Sequence, residues 1–243
     1  MTRLLNGIVA FGSALLLAVT LIGAGFAAVA IPDAATATLS RAFSGCDQPN
    51  NPFTADELAS MAIAGKHYTF DDNDREKLDA AIAEANAAAE ADGRATASTR
   101  ENAARSLPAD AISHLDDVYR VASMAKPALV IVAVLCIAGL AHVAVRIGRR
   151  ALGRTLIAGG GLVLAAFCAL GAWAAIDFDG LFAAFHSLFF QAGTWTFPYD
   201  SLLITLYPTA FWMGMGGIWL AVTCGLSILA VLIGFTLGHK QHD

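Results

Sequence analysis

Charge is what this sequence has little of. Of 243 residues only 14% are Asp, Glu, Lys or Arg, while 57% are apolar. A soluble domain usually carries about 25% charged and about 45–50% apolar residues. A disordered chain and an ordinary water-soluble enzyme are therefore excluded. Basic charge is the scarcer sign, leaving a net charge of −5, and this excludes nucleic acid as a partner, because backbone phosphates demand a basic surface. Cysteine is sparse as well. Cys136, Cys168 and Cys224 lie in apolar runs, and only Cys46 sits in a polar stretch. No C-x-x-C or Cys–His ligand spacing exists, so neither a redox couple nor a zinc knuckle is indicated. There is no G-x-S-x-G elbow to supply a serine nucleophile and no H-E-x-x-H metal pair. No metal and no cofactor is expected.

Long apolar runs are abundant instead. Four of them, residues 4–31, 127–145, 152–176 and 210–237, are each long enough at about 1.5 Å per residue to cross a hydrocarbon core of roughly 30 Å. Backbone polar groups in lipid must be satisfied within the helix, so the expected class is an all-α polytopic membrane protein with four transmembrane helices and a helical extracytoplasmic domain. The expected division is 1–31 for the N-terminus and first span, 32–126 for an outer helical loop, 127–145 for the second span and 146–151 for an arginine turn. The third span follows at 152–176, an outer aromatic loop at 177–209, the fourth span at 210–237 and a tail at 238–243.

Positive charge fixes the orientation. Arg146, Arg149, Arg150 and Arg154 surround the turn between spans two and three, Arg3 precedes span one, and Lys240 follows span four. Segment 32–126 holds 16 acidic and 9 basic residues, and segment 177–209 has three Asp and no Lys or Arg. Both termini and the arginine turn are expected on the cytoplasmic side of a bacterial plasma membrane, with both acidic loops outside. The first run is too long for the apolar core of a signal peptide and reads as an uncleaved anchor. The stretch Phe43-Ser44-Gly45-Cys46 lies too far beyond it to be a lipoprotein cleavage box, so Cys46 reads as a free external thiol.

Segment 32–126 is alanine-rich and polar, and no large independent core is expected of it. Its helical signals are nevertheless clear. Thr54 and Glu57 form a capping-box pair ahead of Leu58, Met61 and Ile63. Residues 73–92, from Asn73 through Leu78 and Ile82, read as a solvated helix, and Gly93 to Asn102 as a linker. Pro108 opens a third helix with Ile112, Leu115, Val118, Tyr119 and Ala122 on one face, leading through Pro127 into span two. Residues 180–190 are strongly apolar around one histidine and too few to cross, which suggests an interfacial or re-entrant helix. Aromatic residues from Trp195 to Trp212 suit the headgroup region. In the spans, Gly217, Ala221 and Gly225 form a small-residue ladder expected to pack against another helix. The G-x-G-x-x-A string at Gly23 lies inside a span with no strand before it and is not a dinucleotide loop.

Six histidines are present. His142, His239 and His242 lie at cytoplasmic ends. On the outer side are His67, His114 and His186. Asp110 and Asp117 stand one turn either side of His114, so a carboxylate there either orients the imidazole or merely forms a weak surface pair. His186 is the lone ionisable residue between Gly180 and Asp200, and an ionisable group at membrane depth points to function unless its helix turns it to water. Two imidazoles suit acyl transfer, one taking a proton from the attacking group while the other gives one to the leaving oxygen.

The string HLDDV from His114 to Val118, then FHSLFF, then the W-x-F-P-x-D run from Trp195, resembles a bacterial family of four-span membrane proteins that includes the lipoprotein intramolecular transacylase. The resemblance implies an acyltransferase that moves the sn-2 acyl chain of a diacylglyceryl-modified lipoprotein to the α-amine of its N-terminal cysteine. It implies His114, His186 and Asp117 as catalytic, with Tyr68, Phe190, Trp195, Pro198 and Asp200 against the substrate. Its partners would be diacylglyceryl lipoproteins and membrane lipid; the oligomeric state is left open. The acidic, alanine-rich stretch 73–105 departs from the family pattern. The competing expectation is a non-enzymatic membrane protein that binds envelope partners through this acidic outer loop.

Overall fold

The computed structural model describes residues 2–48, 51–96 and 102–239. Lys240, His242 and the middle of the 93–102 linker lie outside the described residues. Every regular element among the described residues is helical. They are α1 (Thr2–Ala30), α2 (Asp33–Phe43), α3 (Ala55–Phe70), α4 (Arg75–Ala91), α5 (Ala109–His142), α6 (Arg149–Ile176), α7 (Phe178–Ser187), α8 (Leu202–Leu206) and α9 (Thr209–His239). Four are long and apolar enough to cross a membrane: α1, α5, α6 and α9. The chain is an all-α, multi-pass membrane protein.

The 34 residues of α5 extend about 51 Å, well beyond the roughly 30 Å of hydrocarbon. The polar part comes first, carrying Asp110, His114, Asp116, Asp117, Arg120 and Lys126. After Pro127 no charge appears until Arg146, so the spanning part of α5 begins at about that proline. One π-helical turn, Val143–Ile147, ends it. Gly148 then turns the chain into α6 at φ 115°, a backbone conformation that disfavours a side chain.

The chain divides into two compact units. The first comprises Met1–Ala28, Ala125–Asp177 and Ile218–Asp243. Its core gathers Leu17, Leu21, Cys136, Val163 and Phe167, while Ile131, Ile137, Val145 and Phe235 are exposed, as lipid-facing side chains must be. Helix approach is set by small residues. A Cβ added to Gly153 would stand 2.6 Å from the Gly234 carbonyl oxygen, and one on Gly234 equally close to that of Gly153. This corrects the ladder expected on α9: nothing lies within 4 Å of a Cβ at Gly217 or Gly225, and Ala221 is exposed. The contact is made at a different register of the same helix.

The second unit, Val29–Met124 with Phe178–Gly217, contradicts the expectation of an outer segment without a sizeable core. Leu58 and Met61 of α3, Leu78 of α4, Leu115 of α5 and Leu202 and Leu206 of α8 are buried in one cluster. Alanines at 62, 85, 89 and 111 in that cluster let the helices approach. The reason the sequence did not disclose this core is that part of it comes from a segment about 90 residues further along the chain. Backbone bonds hold that segment in: Leu202 N–H to Ala103 O at 2.7 Å and Gly45 N–H to Thr205 O at 2.8 Å. The Tyr207 hydroxyl adds a bond to Ala62 O at 2.7 Å.

Local signals set the helix starts. At Thr54 both halves of the capping box form. Asp74 caps α4 through the backbone N–H groups of Glu76 and Lys77, so that helix begins after Asn73, which is left-handed at φ 53°. Helix α2 was not anticipated; it is anchored by buried Lys66, whose Nζ donates to Ile31 O at 2.8 Å and to Asp33 Oδ1 at 2.5 Å. The stretch 73–105 is not a separable appendage. Arg105 reaches Asn86 Oδ1 at 2.6 Å and Glu90 Oε1 at 2.7 Å, and Leu78 and Ala89 are fully buried.

Candidate active site

Helix α5 carries His114 on the face that faces the second unit's core, between Ala111 and Leu115, and the residue is only 8% exposed. Helix α7 carries His186 near its C-terminal end. The two rings lie 6.1 Å apart between centroids and 28° from parallel. Aromatic rings enclose them. Phe190 meets His114 edge-on at 4.9 Å, and Phe197 lies at 5.6 Å from it. Phe182 and Trp195 stand 4.0 Å and 4.8 Å from the His186 ring.

This surrounding decides the charge state. Burial pushes His114 down to about 4, helped by the neighbouring His186 and opposed only by Asp117. Burial also lowers His186, against the carbonyl of Phe182. At neutral pH both rings are uncharged. The tautomer of His186 follows from its helix: Nδ1 lies 2.9 Å from Phe182 O, one turn earlier. A carbonyl only accepts, so Nδ1 of the neutral ring carries the hydrogen and Nε2 keeps its lone pair. His114 Nδ1 is buried with no hydrogen-bond partner among the described residues.

Asp117 does not orient His114. Its Oδ1 accepts from Arg120 Nη2 at 2.8 Å, because a partner at i+3 on the solvent face outcompetes a ring on the buried one. Tyr68 is also directed elsewhere. Its hydroxyl donates to Asp116 Oδ1 at 2.5 Å, and burial together with that carboxylate lifts it to about 12. Tyr68 thereby braces α3 against the helix that carries His114, and it borders a hollow of about 430 Å³ with His67, Asp72, Asp74 and Lys77. His67 stands apart from the histidine pair, bonded to Asp71 and, at 3.1 Å, to Asp33. Among the described residues no group of His, Cys, Asp and Glu is arranged to hold a metal ion.

A family model described as lipoprotein intramolecular transacylase Lit matches residues 93–212, the stretch that supplies both histidines and every ring around them. Over that stretch the chain resembles the Lit family. Solved structures agree with that in fold. The in meso structure of the membrane integral lipoprotein intramolecular transacylase Lit from Bacillus cereus is 17% identical and covers 97% of both chains with a TM-score of 0.73. A variant of the same protein with one histidine changed to arginine covers 98% of this chain and 94% of its own at a TM-score of 0.65. An uncharacterized protein of Aquifex aeolicus (strain VF5) is 27% identical over 140 residues, 58% of this chain. The match spans about three fifths (61%) of that relative's length.

The structure brings His114, His186, Phe190 and Trp195 into one cluster. It leaves Asp117 on Arg120, Tyr68 on Asp116, and Pro198 and Asp200 exposed. Two participants went unmarked in the sequence. The Phe182 carbonyl, four residues before His186, was readable from helix spacing, since an i−4 carbonyl is the ordinary local acceptor for a helical side-chain donor. Asp116, beside the aspartate of the HLDDV string, was not distinguishable from Asp117 until the phase of α5 was known.

Proposed function

We propose that this chain is an integral membrane acyltransferase that moves the sn-2 acyl chain of a diacylglyceryl lipoprotein to the α-amine of its N-terminal cysteine, leaving a lyso-form lipoprotein. The observation that carries the reading is the pair of uncharged imidazoles in a water-poor aromatic cluster, the second with Nε2 free. The substrate holds both reacting groups, so proximity supplies a large part of the rate. An α-amine ionises near 8, leaving a neutral fraction at the outer surface. His186 Nε2 removes the proton as that amine attacks the ester carbonyl. The new C–N bond forms, the tetrahedral intermediate collapses with cleavage of the acyl C–O bond, and His186 returns the proton to the glyceryl oxygen.

His114 acts as an uncharged partner. With Nδ1 enclosed and unpartnered, the ring's hydrogen is better placed on Nε2, where the ring hydrogen-bonds the departing glyceryl oxygen and keeps its proton, the transferred proton coming from His186. His114 is therefore not the ring that gives up a proton, because a ring held near 4 is not an imidazolium at neutral pH. Asp117 contributes charge at a distance, and Tyr68 holds α5 through Asp116. Phe190 and Trp195 face the glyceryl region, with Pro198 and Asp200 at the rim. The arginine turn and the acidic outer loops support a plasma-membrane protein with both termini cytoplasmic and the histidines at the outer leaflet. Membrane lipid and diacylated lipoproteins are the partners.

Mass spectrometry of a lipoprotein N-terminus after co-expression tests the reading. The active chain converts the diacyl form to the N-acyl lyso form. His114→Ala and His186→Ala insert normally and leave the diacyl form unchanged. An unconverted lipoprotein beside intact wild-type protein would overturn the proposal.

A further inference from the structure

Among the described residues, four side chains hold a buried nitrogen or oxygen with no hydrogen-bond partner: Thr36, His114, Trp195 and Thr223. Two of the four, His114 Nδ1 and Trp195 Nε1, belong to the cluster around His186. A buried, unsatisfied donor costs more than a hydrogen bond normally returns, so it calls for a guest that satisfies it. An indole N–H only donates. The backbone brings it here deliberately: a turn closed by Thr194 N–H to Gln191 O at 3.2 Å, with Gly193 at φ 87°, sets Trp195 against the base His186 with ring centroids 4.8 Å apart.

We infer that the indole N–H of Trp195 is the oxyanion donor of the acyl transfer. The inference rests on the transacylase reading and adds a step to it. As the amine nitrogen bonds to the ester carbon, the carbonyl π pair moves onto oxygen, and that oxyanion accepts the hydrogen bond from Trp195. When the acyl C–O bond breaks, the pair returns to re-form the carbonyl and the bond weakens again. An interaction present only at the tetrahedral stage raises kcat without tightening substrate binding.

The test uses the full-length protein in detergent–lipid micelles with a synthetic diacylated lipopeptide. Trp195→Phe keeps the aromatic packing and removes the N–H. The expected result is a fall in kcat of about 100-fold or more, with KM held within a factor of about two and the same acid limb in the pH profile. Affinity for a phosphonate mimic of the tetrahedral intermediate falls in parallel with kcat, while affinity for the substrate holds. Benzothienylalanine at position 195, which exchanges the N–H for sulfur at nearly unchanged shape, gives the same result where the phenylalanine variant folds poorly. An unchanged kcat, or a loss confined to KM, would overturn the inference and leave the histidine chemistry standing. A wild-type chain that transfers no acyl group would fail the transacylase reading itself.

Discussion

Acidification of His114 links stability to the site's electrostatics. The unfolded chain binds a proton at this ring near pH 6.5, whereas the folded protein holds off protonation until about pH 4. Between those values the unfolded state carries more protons, so stability falls as pH falls, and nothing is lost above 6.5. At 1.36 kcal/mol per unit, a displacement of roughly 2.5 units amounts to about 3 kcal/mol by pH 4. His114→Leu removes both the titrating ring and the orphaned Nδ1 while keeping an apolar side chain in the aromatic cluster. Thermal unfolding of both proteins, followed in detergent from pH 7.5 to 4, measures the difference. The wild-type midpoint should drop further than that of the variant by roughly 6–12 °C, the shift about 3 kcal/mol makes in a chain of this length. His186 titrates in both proteins, and its own contribution is common to both apart from its repulsion of a charged His114. Midpoints that decline in parallel would mean that His114 is not held neutral by its surroundings, and the charge assignment of the pair would fall with them.

Two other perturbations probe what supports the pair. Leu202→Ala, at a fully buried position, should cost about 2–5 kcal/mol and should release the segment 178–217 to proteolysis before the rest of the second unit; a stability within 1 kcal/mol of wild type would contradict the shared core. Among the described residues, Tyr68→Phe leaves Asp116 with only the long 3.5 Å approach of Asn73 Nδ2. It should cost about 1–3 kcal/mol and lower kcat modestly with no change in the acid limb, because Tyr68 braces α5 and does not touch the reacting atoms.

Uncharged neighbours also suit the two histidines to the proposed transfer. A charged ring beside a second one would be repelled, and desolvation in an apolar cluster makes ionisation costly for both. The arrangement therefore keeps a lone pair available on His186 at a pH where an exposed imidazole would already be partly protonated. In the proposed reaction, a lone pair kept this way is matched to a nucleophile whose own proton has to be removed only as the bond forms.

Composition and periodicity alone determined the class of this protein. Four apolar runs, a tract of arginines between two of them and a histidine in each outer motif are local features, and lipid imposes them residue by residue. The Thr54–Glu57 capping box is local in the same way, since its partners lie three residues apart. Tertiary structure decided what those local features meet. The outer core depends on Leu202 and Leu206 joining Leu58 and Leu78 across more than a hundred residues of chain, which no window of sequence can register. The register of α9 selected Gly234 over Gly217 for close approach, because a small residue matters only where another backbone arrives. The phase of α5 turned His114 inward and Asp117 toward Arg120, reversing the partnership that spacing suggested. Helical spacing names the neighbours a side chain has on its own helix; only packing decides which of them it faces.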